Sequence, residues 1–301
     1  MPVLSVIIAA HNSEDTFQNT LENLILAIDD ADEIEVIIVN DASIDSTQNI
    51  IDNYSSHFAR FKTDKVNYKN VGATRQHALD IAEGDYITML DSDDELRPKS
   101  LRSAVNFLKI NKPDILLSHV TEYFDITKTP YTPLELSPQR LNQDEAIRKF
   151  LIHKELKAFL CGQFISKELY DKNPIPPMTC YEDFAIFPSV LMQADNIWYQ
   201  KESLYSYIKR HGSTSSEIDS DKISNLIICT SKMDNLFPSR FKNLKLCHWI
   251  DIICKHNKAL NSYQQMTLRN KITHECKASF FLSGDVRFSF KKKAVKILWK
   301  N

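Results

Sequence analysis

No apolar run in this chain of 301 residues reaches the ~20 that a membrane-spanning helix requires, so the sequence offers no transmembrane anchor. A core strand already begins at Leu4, which leaves no room for a signal peptide ahead of it. The six cysteines, at positions 161, 180, 229, 247, 254 and 276, form no CxxC pair and have no histidine partners at zinc-site spacing. Reduced, mostly structural thiols are therefore expected, and with them a cytoplasmic location. Internal repeats and low-complexity tracts are also missing. The hydrophobic share of 43% is ordinary for a globular protein, and the length suffices for one sizeable α/β core with a smaller helical appendage.

Excess charge of one sign is absent only on average. The net charge is −2, yet the stretch from Arg240 to Asn301 holds fourteen Lys or Arg against three Asp or Glu. That surplus of +11 leaves the first 239 residues at −13, so the tail is a separate electrostatic object. In its last part, from Arg287, lysines interleave with Phe288, Phe290, Val295, Ile297, Leu298 and Trp299. Such a mixture suits an anionic membrane surface, where each lysine contributes about 1 kcal/mol near the headgroups. The alternative is a solvated basic helix packed on the rest of the molecule. Nucleic acid is not an expected partner, because the acidic remainder would repel phosphate.

What the sequence does contain is an alternation of strand and helix patterns. Leu4–Ala10 is a short apolar run, and Asn12 and Ser13 offer a helix cap before Phe17, Leu21, Leu24, Ile25 and Ile28, which step at helical spacing. Residues 34–39 read as a second buried strand ending at Asn40 and Asp41, followed by another helix. A third short strand is expected over 66–68, then a glycine-containing turn at Asn70 and Gly72 and a helix carrying Arg75 through Ala82. A fourth apolar strand ends in Asp91, Ser92, Asp93 and Asp94. This β-α-β-α order predicts a doubly wound sheet whose strand ends converge on one ligand crevice. Carboxylates so close together repel unless a cation neutralises them, and hard oxygen ligands suit Mg²⁺ or Mn²⁺ holding a diphosphate. A second reading is that the acidic segment caps the helix expected near Pro98.

Four segments taken in order, VIIAAHN, VNDASIDST, KNVGATRQHAL and EGDYITMLDSDD, resemble the nucleotide-binding half of a family 2 glycosyltransferase with a GT-A fold. The likeness is strong over roughly the first hundred residues and continues more weakly to about Ser215 through CGQFISKEL, YEDF and YSYIKRHGSTS. It implies an α/β, Rossmann-like, mostly parallel sheet with a C-terminal helical extension. It also implies an inverting transfer of a sugar from a nucleotide-sugar donor, most commonly a UDP-sugar, with Mn²⁺ or Mg²⁺ as cofactor. On that likeness Ala9, Ala10, Asn12 and Glu14 belong to the nucleoside pocket, and Asp41 would orient the uracil ring. Arg75 would lie near base and diphosphate, Asp91 would contact the ribose or, through water, the metal, Asn70 and Ser92 would also belong to the nucleotide-sugar site, and Asp93 would ligate the metal. The family's common Asp-Asp-Gly-Ser is here Asn40-Asp41-Ala42-Ser43, and its Ala-Arg-Asn is Thr74-Arg75-Gln76.

The pair Glu182-Asp183 falls where the family places its catalytic base, and the resemblance assigns that role to Asp183, with Glu182 left to bind the acceptor. Its alternative reading is a helix start carrying favourable acids. His211 resembles a position that adds a metal ligand in some members, with Lys209 or Arg210 as alternative phosphate contacts. The expected organisation is a donor and metal half over 1–115, an acceptor half over 116–215 and a basic helical extension over 216–301. The expected acceptor is a saccharide or lipid-linked hydroxyl in surface polysaccharide or lipopolysaccharide assembly, and the expected location is the cytoplasm or the inner face of its membrane. A sugar-phosphate nucleotidyltransferase and an inactive nucleotide-sugar-binding protein remain as alternatives.

Overall fold

The computed structural model describes residues 1–124, 129–209 and 218–299. They fall into two compact units, Met1–Gln143 with Ala158–His211, and Asp144–Lys157 with Gly212–Asn301.

The first unit opens with β1 (Leu4–Ala10), α1 (Phe17–Ile28), β2 (Ile34–Asp41), α2 (Thr47–Tyr54), β3 (Phe61–Val66), α3 (Val71–Asp80) and β4 (Tyr86–Met89). β1, β2 and β4 are apolar because both faces of their sheet are covered, and Val6, Ile8, Val36, Ile38 and Ile87 are fully buried. β3, β2, β1 and β4 lie side by side in that order, all parallel. The chain winds outward from β1 to β3 and then returns through α3 to β4, so a topological switch point opens between β1 and β4.

β5 (Glu95–Leu96), α4 (Ser100–Asn111), β6 (Ile115–Tyr123), β7 (Gln139–Leu141), α5 (Gln143–Ile152), β8 (Phe164–Ser166), α6 (Lys167–Lys172), α7 (Glu182–Gln193) and β9 (Ile197–Ile208) follow. Beyond β4 the sheet continues as β8, β6, β9 and β5, and β7 also joins β9. Here the pairing turns mixed: β8 is antiparallel to β4 and β6, β9 runs parallel to β6, and β5 and β7 run antiparallel to β9. The parallel half is thus the one that the sequence pattern describes, and the other half is mixed.

Three local expectations are corrected. The third strand is Phe61–Val66 rather than 66–68, because Lys62, Asp64 and Lys65 hide an edge strand that β2 recruits by pairing Val36 through Asp41 with it. α1 has Thr16 at its cap with no side-chain bond, while the Ser13 carbonyl accepts the Thr16 and Phe17 amides. The acidic segment does not cap α4, which begins at Ser100 after Lys99 in a left-handed conformation.

The second unit combines most of α5 with α8 (Ser220–Leu236), α9 (Lys242–His256), α10 (Ser262–Glu275), α11 (Ala278–Leu282) and α12 (Phe288–Leu298). Ile223, Leu246, Trp249, Ile250 and Ile253 face its core, as their helical spacing predicts, together with Leu268, Ile272, Phe280, Phe290 and Ile297. The segment 144–157 joins this unit because Phe150 on α5 packs its ring against Phe237 and His248. One carboxylate ties three helices. Asp234 near the end of α8 meets Lys245 of α9 at 3.2 Å and Lys271 of α10 at 2.9 Å, and accepts the Trp249 indole N–H at 2.9 Å. Burial alone would raise its pKa, but those hydrogen bonds and lysine charges hold it below the usual carboxylate range.

Removing that carboxylate leaves the buried Lys245 ammonium without its charge partner, so Asp234→Ala is expected to cost this unit about 3 kcal/mol. Because the depressed pKa contributes stability above the unfolded value and loses it as pH falls, the variant should also flatten the acid side of the stability curve. Denaturant unfolding followed by tryptophan fluorescence between pH 3 and 7 checks both.

Candidate active site

Apart from Arg75, which stands inside α3, the candidate donor residues before Asp94 sit at strand ends or on the segments that follow them. Ala9 and Ala10 close β1, and the loop that follows is fastened to the loop after β2. Asn12 accepts the Ile44 amide at 2.9 Å and donates its own amide to Ser43 Oγ at 3.0 Å. Glu14 accepts the Ser46 amide at 2.9 Å, and its own amide donates to Asp45 at 3.0 Å. These two side chains therefore shape the rim of the crevice. Across the switch point Ser92 Oγ lies 2.7 Å from Ser13 Oγ, and the Ser92 carbonyl accepts the Thr16 hydroxyl at 2.9 Å.

Asp41, the last residue of β2, has four donors. Oδ1 accepts the amides of Tyr68 at 2.7 Å and Lys69 at 2.8 Å, while Oδ2 accepts the Asn70 amide at 2.9 Å and the Thr74 hydroxyl at 2.8 Å. Burial opposes its charge, yet the donors outweigh burial and depress its pKa. Asp41 thus moulds the turn that leads into α3. Asn70 caps that helix, accepting the Ala73 amide at 3.0 Å and donating to the Pro177 carbonyl at 3.1 Å.

One turn into α3 stands Arg75, buried apart from its contacts with acids. Nη2 donates to Asp91 Oδ1 at 2.5 Å and lies 3.5 Å from the Cys161 sulfur, and Nη1 donates to Glu182 Oε1. The guanidinium fork thereby links the end of β4 to the first residue of α7. Asp183, next along α7, is half-buried and accepts the Phe184 amide at 2.6 Å. Burial first, and then the neighbouring Glu182, push its pKa up to about 8 against the pull of Arg75. The Glu182-Asp183 pair is thus brought to the acids after β4 by one arginine, which stands 107 residues from Glu182 in sequence.

The fourth acid of the string behaves differently from the rest. Asp94 is fully buried, accepts the Tyr205 hydroxyl at 2.6 Å and the Ile208 amide at 2.7 Å, and is pushed up to about 8 by burial and by the charges of Asp91 and Asp93. The same Tyr205 oxygen accepts the Asp91 amide at 3.1 Å. Gly162, with φ +71°, makes room for this ring, since a Cβ there would sit 2.7 Å from Tyr205 Cβ. Asp94 and Tyr205 therefore shape the loop that presents Asp91, Ser92 and the half-buried Asp93. Sequence reading missed the Tyr205 partnership, which carries no local signal across 111 residues.

Among the described residues no group of three His, Cys, Asp or Glu side chains is disposed to hold a metal ion. His211 lies outside the described residues. The chemistry of the acids nevertheless fits a hard cation, because Asp91 and Asp93 set two carboxylates within three residues of one loop, and their charges add to burial in raising Asp94. Lys209 is engaged with Glu122 at 2.5 Å and lies 5.2 Å from the Phe124 ring centroid.

A parallel half with acids at its switch point, joined to an acid pair on a helix from the mixed half, is the arrangement of a GT-A transferase fold. The chain belongs to glycosyl transferase family 2, whose model matches residues 5–171. It is 34% identical over 116 residues to the poly(ribitol-phosphate) β-glucosyltransferase of Bacillus spizizenii, covering 38% of this chain and 18% of that relative. To the UDP-Glc:α-D-GlcNAc-diphosphoundecaprenol β-1,3-glucosyltransferase WfaP of Escherichia coli it is 30% identical over 192 residues, 64% of this chain and 71% of that one. The chain spans less than two thirds of the length of several curated relatives that it matches. In fold it is similar to residues 1–349 of Staphylococcus aureus TarS, solved in complex with UDP-GlcNAc. The TM-score is 0.68 at 19% identity, with 91% of this chain and 80% of that one covered.

Replacing Tyr205 by phenylalanine keeps the ring beside Gly162 but removes the hydroxyl that serves both Asp94 and the Asp91 amide. Loss of that buried hydrogen bond is expected to lower stability by about 1–3 kcal/mol and to weaken nucleotide binding through the loosened loop. Thermal melting with and without UDP separates the two effects.

Proposed function

We propose that this protein transfers a sugar from a nucleotide-diphosphate sugar, with a UDP-sugar as the favoured donor, to a hydroxyl of a saccharide or lipid-linked acceptor, inverting the anomeric centre. The observation that carries this reading is the buried Arg75 fork, which sets Asp183 beside the donor acids with its pKa already raised. Direct displacement requires a carboxylate that takes the acceptor proton as the hydroxyl attacks opposite the leaving group, and an elevated pKa makes it a stronger base. Asp183 fills that role. Glu182, occupied by Arg75, holds the base helix in place instead of meeting the acceptor.

In this reading Asn12 and Glu14 keep the nucleoside rim closed, and Asp41 acts through the turn at Tyr68–Asn70 against which the base would lie. Asp93 would hold Mn²⁺ or Mg²⁺ together with diphosphate oxygens, and His211 is a further ligand candidate. When bound, such a cation offsets the charge that grows on the departing diphosphate. The donor and acceptor in the name of the E. coli relative, UDP-Glc and a diphosphoundecaprenol-linked sugar, support a lipid-linked acceptor and a place in surface polysaccharide assembly. No helix among the described residues is long and apolar enough to cross a membrane. In this reading the basic tail brings the protein to such an acceptor at the membrane surface.

Since the base must be ionised to act, the rate is expected to rise with pH up to about 8 and then level off. Asp183→Asn should lower kcat by roughly 10² or more, remove that limb and leave UDP affinity nearly unchanged. Product analysis across candidate nucleotide-sugars tests the reaction class: UDP with a lengthened acceptor supports it, whereas release of inorganic pyrophosphate identifies a nucleotidyltransferase. Asp93→Ala is expected to abolish the Mn²⁺-stimulated rate while the melting temperature stays level, because one of several crowded charges is removed. Wild-type stimulation in that variant would dismiss the metal role.

A further inference from the structure

We infer that one outward face of α12, made by Phe288, Lys292, Val295 and Trp299, is a shallow docking strip for an anionic lipid bilayer. This deepens the peripheral attachment proposed above by assigning it to particular side chains. The sequence alone interleaves lysines with six large apolar residues, and the fold sorts those six into two groups. Phe290 and Ile297 are buried in the helical unit with Ala294 between them, and Leu298 is partly buried against the same core. Phe288, Val295 and Trp299 are not: they are 70%, 41% and 88% exposed.

The exposed three stand at steps of seven and four residues, so with Lys292 they form one line along the helix, opposite in function to the line 290, 294 and 297. Scattered single apolar residues on a surface need no explanation, but an aromatic, an aliphatic and a tryptophan in line do. The cations are placed to match. Lys292 Nζ lies 4.8 Å from the Phe288 ring centroid, and Lys296 is exposed on the adjoining turn. Lys293, in contrast, is spent inside the unit, paired with Asp251 at 2.6 Å and set against the Phe290 ring.

A helix of eleven residues is about 16 Å long, too short to span a bilayer and suited to lying in its interface. Tryptophan and lysine are the side chains that favour this depth. The surplus of +11 over residues 240–301 gives the charge complementarity to an anionic leaflet. A polyanion such as RNA would use the lysines but would gain little from Val295.

The test uses the full chain with vesicles of phosphatidylglycerol and phosphatidylcholine, against phosphatidylcholine alone, by co-sedimentation at 0.1 M and 1 M salt. Truncating the tail is unsuitable because it would uncover the core where Phe290 and Ile297 pack; the exposed residues permit point changes instead. Wild type should bind anionic vesicles and weaken as the Debye length falls from ~10 Å to ~3 Å. Lys292→Glu with Lys296→Glu should weaken binding at least ~20-fold, and Phe288→Ser with Trp299→Ser at least ~10-fold at low salt. Both pairs should keep the wild-type melting temperature and the wild-type rate on a soluble acceptor. Equal binding to neutral and anionic vesicles overturns the inference, and so does a serine pair that binds like wild type, which would mark a general polyanion site. Binding is read without turnover, so a protein that docks but transfers no sugar refutes the proposed activity and leaves the strip standing.

Discussion

The guanidinium of Arg75 is the interaction on which the site depends. It is buried, and an arginine cannot shed its proton, so the fold must supply carboxylates to it. It receives one from the loop after β4 and one from the start of α7, two segments far apart in sequence that it links. Stability and chemistry are coupled here. If either acid were absent the arginine would be an uncompensated buried charge, and if the arginine were absent Asp91, Glu182 and Asp183 would face one another with nothing between them. Asp183 is the acid that the fork does not engage directly, and burial beside Glu182 accordingly raises its pKa rather than lowering it.

A second constraint keeps that fork in register. α3 must arrive with Arg75 pointing at β4, and its first turn is fixed from both sides. Asp41 collects three consecutive amides and the Thr74 hydroxyl, and the Gly72 amide donates to the Met178 carbonyl at 3.1 Å. Gly72 has no alternative at this position. A Cβ would come within 2.1 Å of the Pro176 carbonyl oxygen. The segment leading into α7 is therefore seated on the same helix turn whose arginine then grips Glu182. The acids after β4 and the start of α7 share one support.

The parallel half was legible in the sequence because its signals are local. β1 and β2 are mostly apolar runs, interrupted by Ser5 and Glu35, α1 shows its helical spacing, and the acids follow closely after β4. β3 was not legible as such, since its charged edge residues mask a strand that exists through pairing with β2. The mixed half was still less readable. β8 has three residues and β5 two, too few for a period to show, and their places are set by β4, β6 and β9. Among the candidate site residues, motif reading singled out the acids, Arg75 and the Glu182-Asp183 pair, which the fold brings together. It could not separate Asp94 from its neighbours, because only the fold brings Tyr205 and the Ile208 amide to it.

The tail shows the same limit from the other side. A helix with apolar residues on two faces has a confused periodicity, and its sequence supports both packing on the protein and lying on a membrane. The structure makes these readings compatible instead of rival. Phe290, Ala294 and Ile297 satisfy the first, and their burial fixes the rotation of the helix. Once that rotation is fixed, Phe288, Val295 and Trp299 have no choice but to face outward. The outward apolar line is thus maintained by the core on the opposite face, at the cost of exposing a tryptophan to water. Nothing in the packing of the helical unit requires Trp299 or Phe288 to be large and apolar, so the reason for their chemistry lies outside that core.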